Sequence, residues 1–177
     1  MIEVAKSKYP DTQFLEGNAE NLEFKNESFD YIIINFGVLH VGDPQKCFQE
    51  CYRVLKKGGR LFFSLWLPSA ESKGMEILYA AVSQFVDTSL IPEGPDFFKY
   101  TDKDIALSEL SKTGFTEVSS KIVNTHWKIK DPLDFYNAYT KGGARLGSLI
   151  DLQSSIVKKN MQKFILSELE KLKEKEL

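Results

Sequence analysis

Phe29-Asp30-Tyr31-Ile32-Ile33-Ile34-Asn35-Phe36-Gly37 passes from an acidic residue through an apolar, β-branched block to a polar exit that carries a glycine. A run apolar on both faces predicts a central strand of a parallel sheet, covered by helices on each side. The ends of such strands open a crevice where ligands bind, so Asn35, Phe36 and Gly37 are the first place to look for a site.

Downstream, Asp43-Pro44 reads as a helix cap followed by proline at the first helical position, where its missing N–H costs nothing. Cys47, Phe48, Cys51, Tyr52 and Leu55 then fall on one helical stripe that would face a sheet. Lys56 and Lys57 suit the negative helix end, and Gly58-Gly59 is expected to terminate it. Residues 60–66 read as a second apolar strand, so strand, helix and strand make a parallel crossover unit.

Upstream, residues 1–8 have helical composition without a capping residue ahead of them, and Tyr9-Pro10-Asp11 stops the helix. A short strand is expected over residues 12–16, followed by a turn at Gly17-Asn18-Ala19-Glu20-Asn21. Beyond the crossover, Met75, Leu78, Ala81, Val82 and Phe85 give helical periodicity. Residues 91–96, with two prolines and a glycine, can only be a loop or lid. Thr101-Asp102-Lys103-Asp104 resembles a capping box with Asp in place of Glu, opening a helix that ends at Gly114. Residues 115–130 alternate well enough for one long strand or a bent pair. Pro132 opens another helix, Lys141-Gly142-Gly143 breaks it, and residues 154–172 form a last amphipathic helix.

The 177 residues are 42% apolar and 27% charged, enough for one domain with a real core. With 23 basic and 25 acidic residues the net charge is -2, which argues against a nucleic-acid partner. No apolar stretch approaches the ~20 residues of a membrane span, and no membrane partner is expected. Cys47 and Cys51 sit on the apolar stripe without the spacing of a zinc site, and His40 and His126 are distant in sequence. No metal is expected, and the cysteines read as small core residues in a reducing, cytoplasmic setting.

Four ordered segments carry a resemblance: residues 17–24, Ser28-Phe29-Asp30, residues 38–44, and Glu50-Cys51-Tyr52-Arg53-Val54-Leu55-Lys56-Lys57-Gly58-Gly59-Arg60. Together they resemble the middle of a class I S-adenosylmethionine-dependent methyltransferase of type 11, in the branch of the ubiquinone and menaquinone methyltransferases. The likeness is strongest over residues 1–66. It implies a Rossmann-like α/β sheet and S-adenosylmethionine as cofactor. By that resemblance Asn18, Ala19 and Glu20 lie at the adenine, with Asn18 standing where the family usually has Asp; a turn-forming Asn is the alternative. Asn35, Phe36 and Gly37 would face the sulfonium and amino-acid part, with Gly37 permitting close backbone approach. His40, Trp66, Phe97 and Tyr100 fall where the family builds its pocket for a small-molecule methyl acceptor. His40 is either a general base or a turn stabiliser, and the aromatics are either pocket or core. Glu50 and Arg53 read as structural anchors of the crossover helix.

The family's opening strand, glycine-rich turn and acidic second strand have no counterpart in these residues, so the resemblance implies a truncated domain. Within it, residues 1–67 are the cofactor side and 68–177 the substrate side. Activity and cofactor binding by this chain alone are then in doubt. The strand over residues 29–37 would be left with an unpaired edge, a route to association with another copy. Three functions remain: methyl transfer to a small molecule, a non-catalytic interaction or dimerisation module derived from such an enzyme, and a nucleotide-binding α/β domain of another class.

Overall fold

The computed structural model describes residues 1–68, 72–94, 96–125 and 127–175, so His126 lies outside the described residues. The chain forms two compact units, Met1–Leu67 with Pro95–Lys121 and Pro68–Gly94 with Ile122–Leu177.

The first unit is built on the expected crossover. Strand β1 (Phe29–Asn35) pairs in parallel with β2 (Leu55–Ser64), and helix α2 (Pro44–Val54) connects them. The fold class is therefore α/β, with a two-stranded sheet among the described residues. Asp43 caps α2 by accepting a hydrogen bond from Lys46 N at 3.1 Å, with Pro44 at the first turn. Cys47, Phe48, Cys51 and Val54 are its buried face. Tyr52, expected on that stripe, instead sets its ring edge against Phe115 and stays half exposed.

Gly58-Gly59 is not a helix terminator. The helix ends at Val54 and passes directly into β2, and both glycines lie in that strand. Phe29 pairs with Leu55 but Tyr31 with Arg60, so residues 56–59 bulge opposite Asp30. Gly58 takes φ +77, and a Cβ on Gly59 would lie 2.9 Å from the Lys56 carbonyl oxygen, so the bulge needs both glycines. Lys56 Nζ closes it with an ion pair to Asp30 at 2.8 Å.

One face of the sheet meets a core of Val38, Leu39, Phe48, Tyr100 and Leu110, with Ile34, Leu61 and Phe63 packed against it. The expectation that β1 is covered on both faces fails, because Tyr31 and Ile33 are exposed. The outer edge of β1 has no hydrogen-bonded neighbour among the described residues. The described residues of 12–16 and 115–130 likewise form no strand. Alternating polarity describes side chains only, and neither segment finds a ladder partner to satisfy its backbone.

Helix α1 (Ile2–Lys8) precedes the sheet and buries no residue. Helix α4 (Lys103–Thr113) docks on α2, where Gln45 Nε2 donates to Thr113 Oγ1 at 2.9 Å. Its cap is Asp102, which accepts from Asp104 N and Ile105 N, rather than Thr101 of the expected capping box. Thr101 spends its hydroxyl on the Phe98 carbonyl. Gly114 ends the helix at φ +110, as expected.

An ion pair in α2 organises the approach to β1. Glu50 accepts Leu22 N at 2.7 Å and pairs with Arg53 at 2.7 Å. Arg53 also donates to the Leu22 and Phe24 carbonyls and to Asn26 Oδ1, each at 2.8 Å. One planar fork thus holds the irregular segment that feeds the strand, the structural role expected of this pair.

The second unit is helical. It contains α3 (Lys73–Phe85), α5 (Pro132–Gly142), α6 (Ala144–Asp151) and α7 (Ser155–Lys175) around Leu78, Ala81, Phe135, Leu149, Ile150, Met161 and Ile165. Pro132 and Gly142-Gly143 bound α5 as expected, whereas α6 is a helix beyond those expected from the sequence. Gln153 stitches the unit by accepting from Asp87 N and donating to the Asp87 carbonyl.

The Glu50 carboxyl is held down at about 2, chiefly by its hydrogen bond with Arg53. Its contribution is therefore complete above the usual carboxylate value near 4.5 and is lost as pH falls through about 2. Glu50→Gln is expected to cost about 1–3 kcal/mol at neutral pH, read by urea denaturation. Arg53→Lys should also destabilise, because an ammonium cannot span four acceptors, and both variants should flatten the acid limb of the stability profile.

Candidate functional site

The site begins where β1 and β2 end side by side. Asn35 lies opposite Ser64, and the Ser64 hydroxyl donates to Asn35 Oδ1 at 2.6 Å while accepting Phe36 N at 3.1 Å. This one hydroxyl ties both strand ends and turns the chain out of the sheet. Phe36 then takes φ +54, a left-handed conformation that costs a bulky residue about 1–3 kcal/mol. The strained backbone lays the Phe36 ring flat on Trp66, with centroids 4.2 Å apart and planes 9° from parallel. Trp66 keeps its other face exposed.

Gly37 follows, and a Cβ there would stand 3.0 Å from Ile34 Cγ2, so a larger residue would press on the strand. A 3₁₀ turn over Val38–His40 buries Val38 and Leu39 and leaves His40 exposed, its ring 5.7 Å from that of Phe97.

The Gly17–Asn21 segment forms the expected turn. Asn18 Oδ1 accepts Glu20 N at 2.9 Å, and Asn21 N returns to the Asn18 carbonyl at 3.0 Å. Glu20 Oε1 accepts Gly42 N at 2.7 Å and Asp43 N at 3.1 Å. Its negative charge sits at the amino end of α2, where the helix dipole favours it. The same bonds bind the Asn18 turn to the loop that leaves β1. Glu20 is thus engaged within the protein, while Ala19 is half-buried beside it.

The expected site residues separate into groups. Asn35, Phe36, Gly37 and Trp66 converge at the strand exit; Asn18, Ala19 and Glu20 are tied to the following loop by Glu20. Exposed His40 stands beside Phe97, which is half-buried against the sheet core, whereas Tyr100 belongs to that core, its ring edge against Phe48 at 5.5 Å. Burial pushes the Tyr100 hydroxyl up from its ordinary value. Cys47 and Cys51 are buried free thiols, and the Cys47 sulfur together with burial pushes Cys51 up. They pack as core, as expected. Sequence reasoning missed Ser64, although its place opposite Asn35 follows once the strands are put in parallel register.

For a cofactor, Asn35 keeps its amide donors, Asn18 keeps its own and a second lone pair, and the exit backbone is open at Gly37. The donor set suits a ligand with amino, carboxylate and nucleoside groups. Among the described residues no three His, Cys, Asp or Glu side chains are placed to hold a metal ion. No helix among them is long and apolar enough to cross a membrane.

Residues 1–63 match the family model of the methyltransferase domain. Over 131 residues the chain is 31% identical to a demethylmenaquinone methyltransferase of Paenarthrobacter aurescens, covering 67% of this chain and 51% of that protein. Over 61 residues it is 43% identical to a ubiquinone/menaquinone biosynthesis C-methyltransferase of Campylobacter jejuni, covering 34% of this chain and 26% of that protein. A Thermotoga maritima crystal structure, described as a SAM-dependent methyltransferase and possible histamine N-methyltransferase, is 29% identical with a TM-score of 0.49. That alignment covers 66% of this chain and 51% of that one. The chain spans about half the length, or less, of the curated relatives it matches.

Ser64→Ala is expected to lower stability by about 1–2 kcal/mol, because it leaves the Phe36 N–H and Asn35 Oδ1 without their shared partner. Ser64→Thr, which keeps the hydroxyl on a β-favouring residue, should restore most of the loss in the same denaturation experiment.

Proposed function

With residues 1–63 carrying methyltransferase-domain sequence, we propose that the β1 exit is the cofactor side of an S-adenosylmethionine-dependent methyl-transfer site. The observation that carries this reading is the strained Phe36 exit. It gathers Asn35, Gly37 and Trp66 at one strand end, and Glu20 binds the Asn18 turn to the loop that follows. Strain held at a strand exit by a hydroxyl bridge and an aromatic stack is a feature of sites more than of scaffolds.

Each residue then has a task. Asn35, oriented by Ser64, offers its amide N–H groups to the amino-acid end of the cofactor. Gly37 lets the backbone come close to it, and Asn18 with the Ala19 N–H receives the adenine edge. When bound, S-adenosylmethionine supplies an electrophilic methyl group, so the protein's share is alignment and exclusion of water rather than acid–base chemistry. Trp66, stacked on one face and open on the other, receives a flat, apolar small-molecule acceptor. A quinone-type ring, the kind named for the bacterial relatives, has that shape. His40 stands at the rim beside Phe97 as the proton acceptor, if the acceptor atom sheds one.

The described residues provide this crevice from one side, so cofactor affinity should be weak. Titration calorimetry with S-adenosylmethionine is expected to give saturable binding with Kd of roughly 0.1–1 mM, lost in Asn35→Ala with the fold intact. Absence of binding at several millimolar would remove this reading and leave a non-catalytic module derived from a methyltransferase. Quenching of Trp66 fluorescence by a planar quinone, with Trp127 replaced by Phe, reads the acceptor side separately.

A further inference from the structure

The buried face of α2 carries two thiols, Cys47 at 1% exposure and Cys51 at 3%, that neither the Glu50–Arg53 pair nor the strand exit uses. Four residues apart, they stand one above the other on the helix, with Cβ atoms about 5–6 Å apart. A disulfide needs Cβ atoms about 3.5–4.5 Å apart, so oxidation to one would have to break the helix. The sulfurs nevertheless meet in a hydrogen bond, which pulls Cys47 below its ordinary value and, with burial, pushes Cys51 above it. The pair thus shares protons between two soft donors.

The surroundings decide what such a pair can hold. Among the described residues no third His, Cys, Asp or Glu joins the two sulfurs to complete a metal site, so the four protein ligands of structural zinc are not available. A thiophilic centre that takes two sulfurs and brings its own third substituent needs no more. Charge narrows the choice further. Glu20 lies close enough to Cys47 for its carboxylate to oppose the thiolate, and burial opposes it as well. A copper(I) dithiolate would leave a net negative charge in this place, which is costly. A trivalent arsenic centre with one organic group forms a neutral product with two thiolates. It also holds its sulfurs at roughly a right angle, close to each other, so one helical turn can span it with the backbone hydrogen bonds intact.

We propose that Cys47 and Cys51 form a dithiol capture site for monosubstituted trivalent arsenicals. Each sulfur displaces one hydroxyl from R–As(OH)2. Two As–S bonds form, two As–O bonds break, and two waters leave with the two thiol protons, while arsenic keeps its oxidation state. Capture proceeds through local opening around the buried pair. The product staples one turn of the helix that carries the Asp43 cap and the Glu50–Arg53 pair, so binding favours the folded chain. The inference does not rest on the methyl-transfer reading.

Phenylarsine oxide, added to the whole chain in a phosphine reductant, tests it by intact mass, thiol titration and urea denaturation. The chain has two cysteines, so the expected result is one phenylarsenic group per chain, loss of both titratable thiols at one equivalent and a raised urea midpoint. Cys47→Ala and Cys51→Ala should each abolish the stable adduct, and 2,3-dimercaptopropanol should remove it from the wild type. Loss of only one thiol overturns the proposal. So does an adduct that lowers the midpoint, because the reagent would then be trapping the unfolded chain rather than a built pair. Should either alanine variant fail to fold, the thiol count and midpoint of the wild type decide the matter.

Discussion

The Arg53 guanidinium is the constraint on which the sheet unit depends. The segment between the Asn18 turn and β1 has no regular structure to satisfy its backbone, yet it must deliver the chain to the start of a strand in register. Arg53 meets the Leu22 and Phe24 carbonyls and the Asn26 side chain with one rigid fork, and Glu50 both neutralises it and takes the Leu22 N–H. Because Arg53 and Glu50 lie on the crossover helix, a single pair fixes the helix, the approach to β1 and thereby the position of the strand exit. Lysine offers the charge without the geometry, so the sequence is constrained here by shape as much as by sign.

The features that sequence made legible were those fixed by local chemistry. Asp43-Pro44, Gly114, Pro132 and Gly142-Gly143 mark helix ends because caps, left-handed conformations and missing donors act within a turn of the residue concerned. The crossover was legible because its two apolar strands flank an amphipathic helix. What failed required knowledge of distant partners. Residues 12–16 and 115–130 alternate as strands do, but a strand exists only when another strand accepts it. The apolar block of β1 promised helices on both faces, and the structure covers one. Gly58-Gly59 looked like a terminator because glycine after a helix usually is one; here the helix stops earlier and the glycines make room for a bulge opposite Asp30.

The candidate site divides along the same line. Asn35, Phe36 and Gly37 were legible as the exit of the most apolar strand, and the Asn18 turn from its glycine and asparagine. Ser64 was not, because its role depends on register, a relation between two strands that neither contains alone. Glu20 illustrates a subtler gap: a residue assigned to ligand by family resemblance spends one oxygen on the Gly42 and Asp43 amides, joining the turn to the exit loop. Tyr100 resolves toward packing, its ring closing the core against Phe48.

The order of segments along the chain has a consequence for biosynthesis. The sheet unit is completed by a returning stretch, residues 95–121, that follows an excursion into the other unit. Val38, Leu39 and Phe48 therefore meet Tyr100 and Leu110 only after those later residues have been made. At about 5–20 residues per second the nascent crossover spends several seconds with the Phe48 side uncapped. Neither unit can be released as a contiguous piece by one cut or finished before the other has begun, so synthesis must tolerate an exposed half-core that the mature protein never displays.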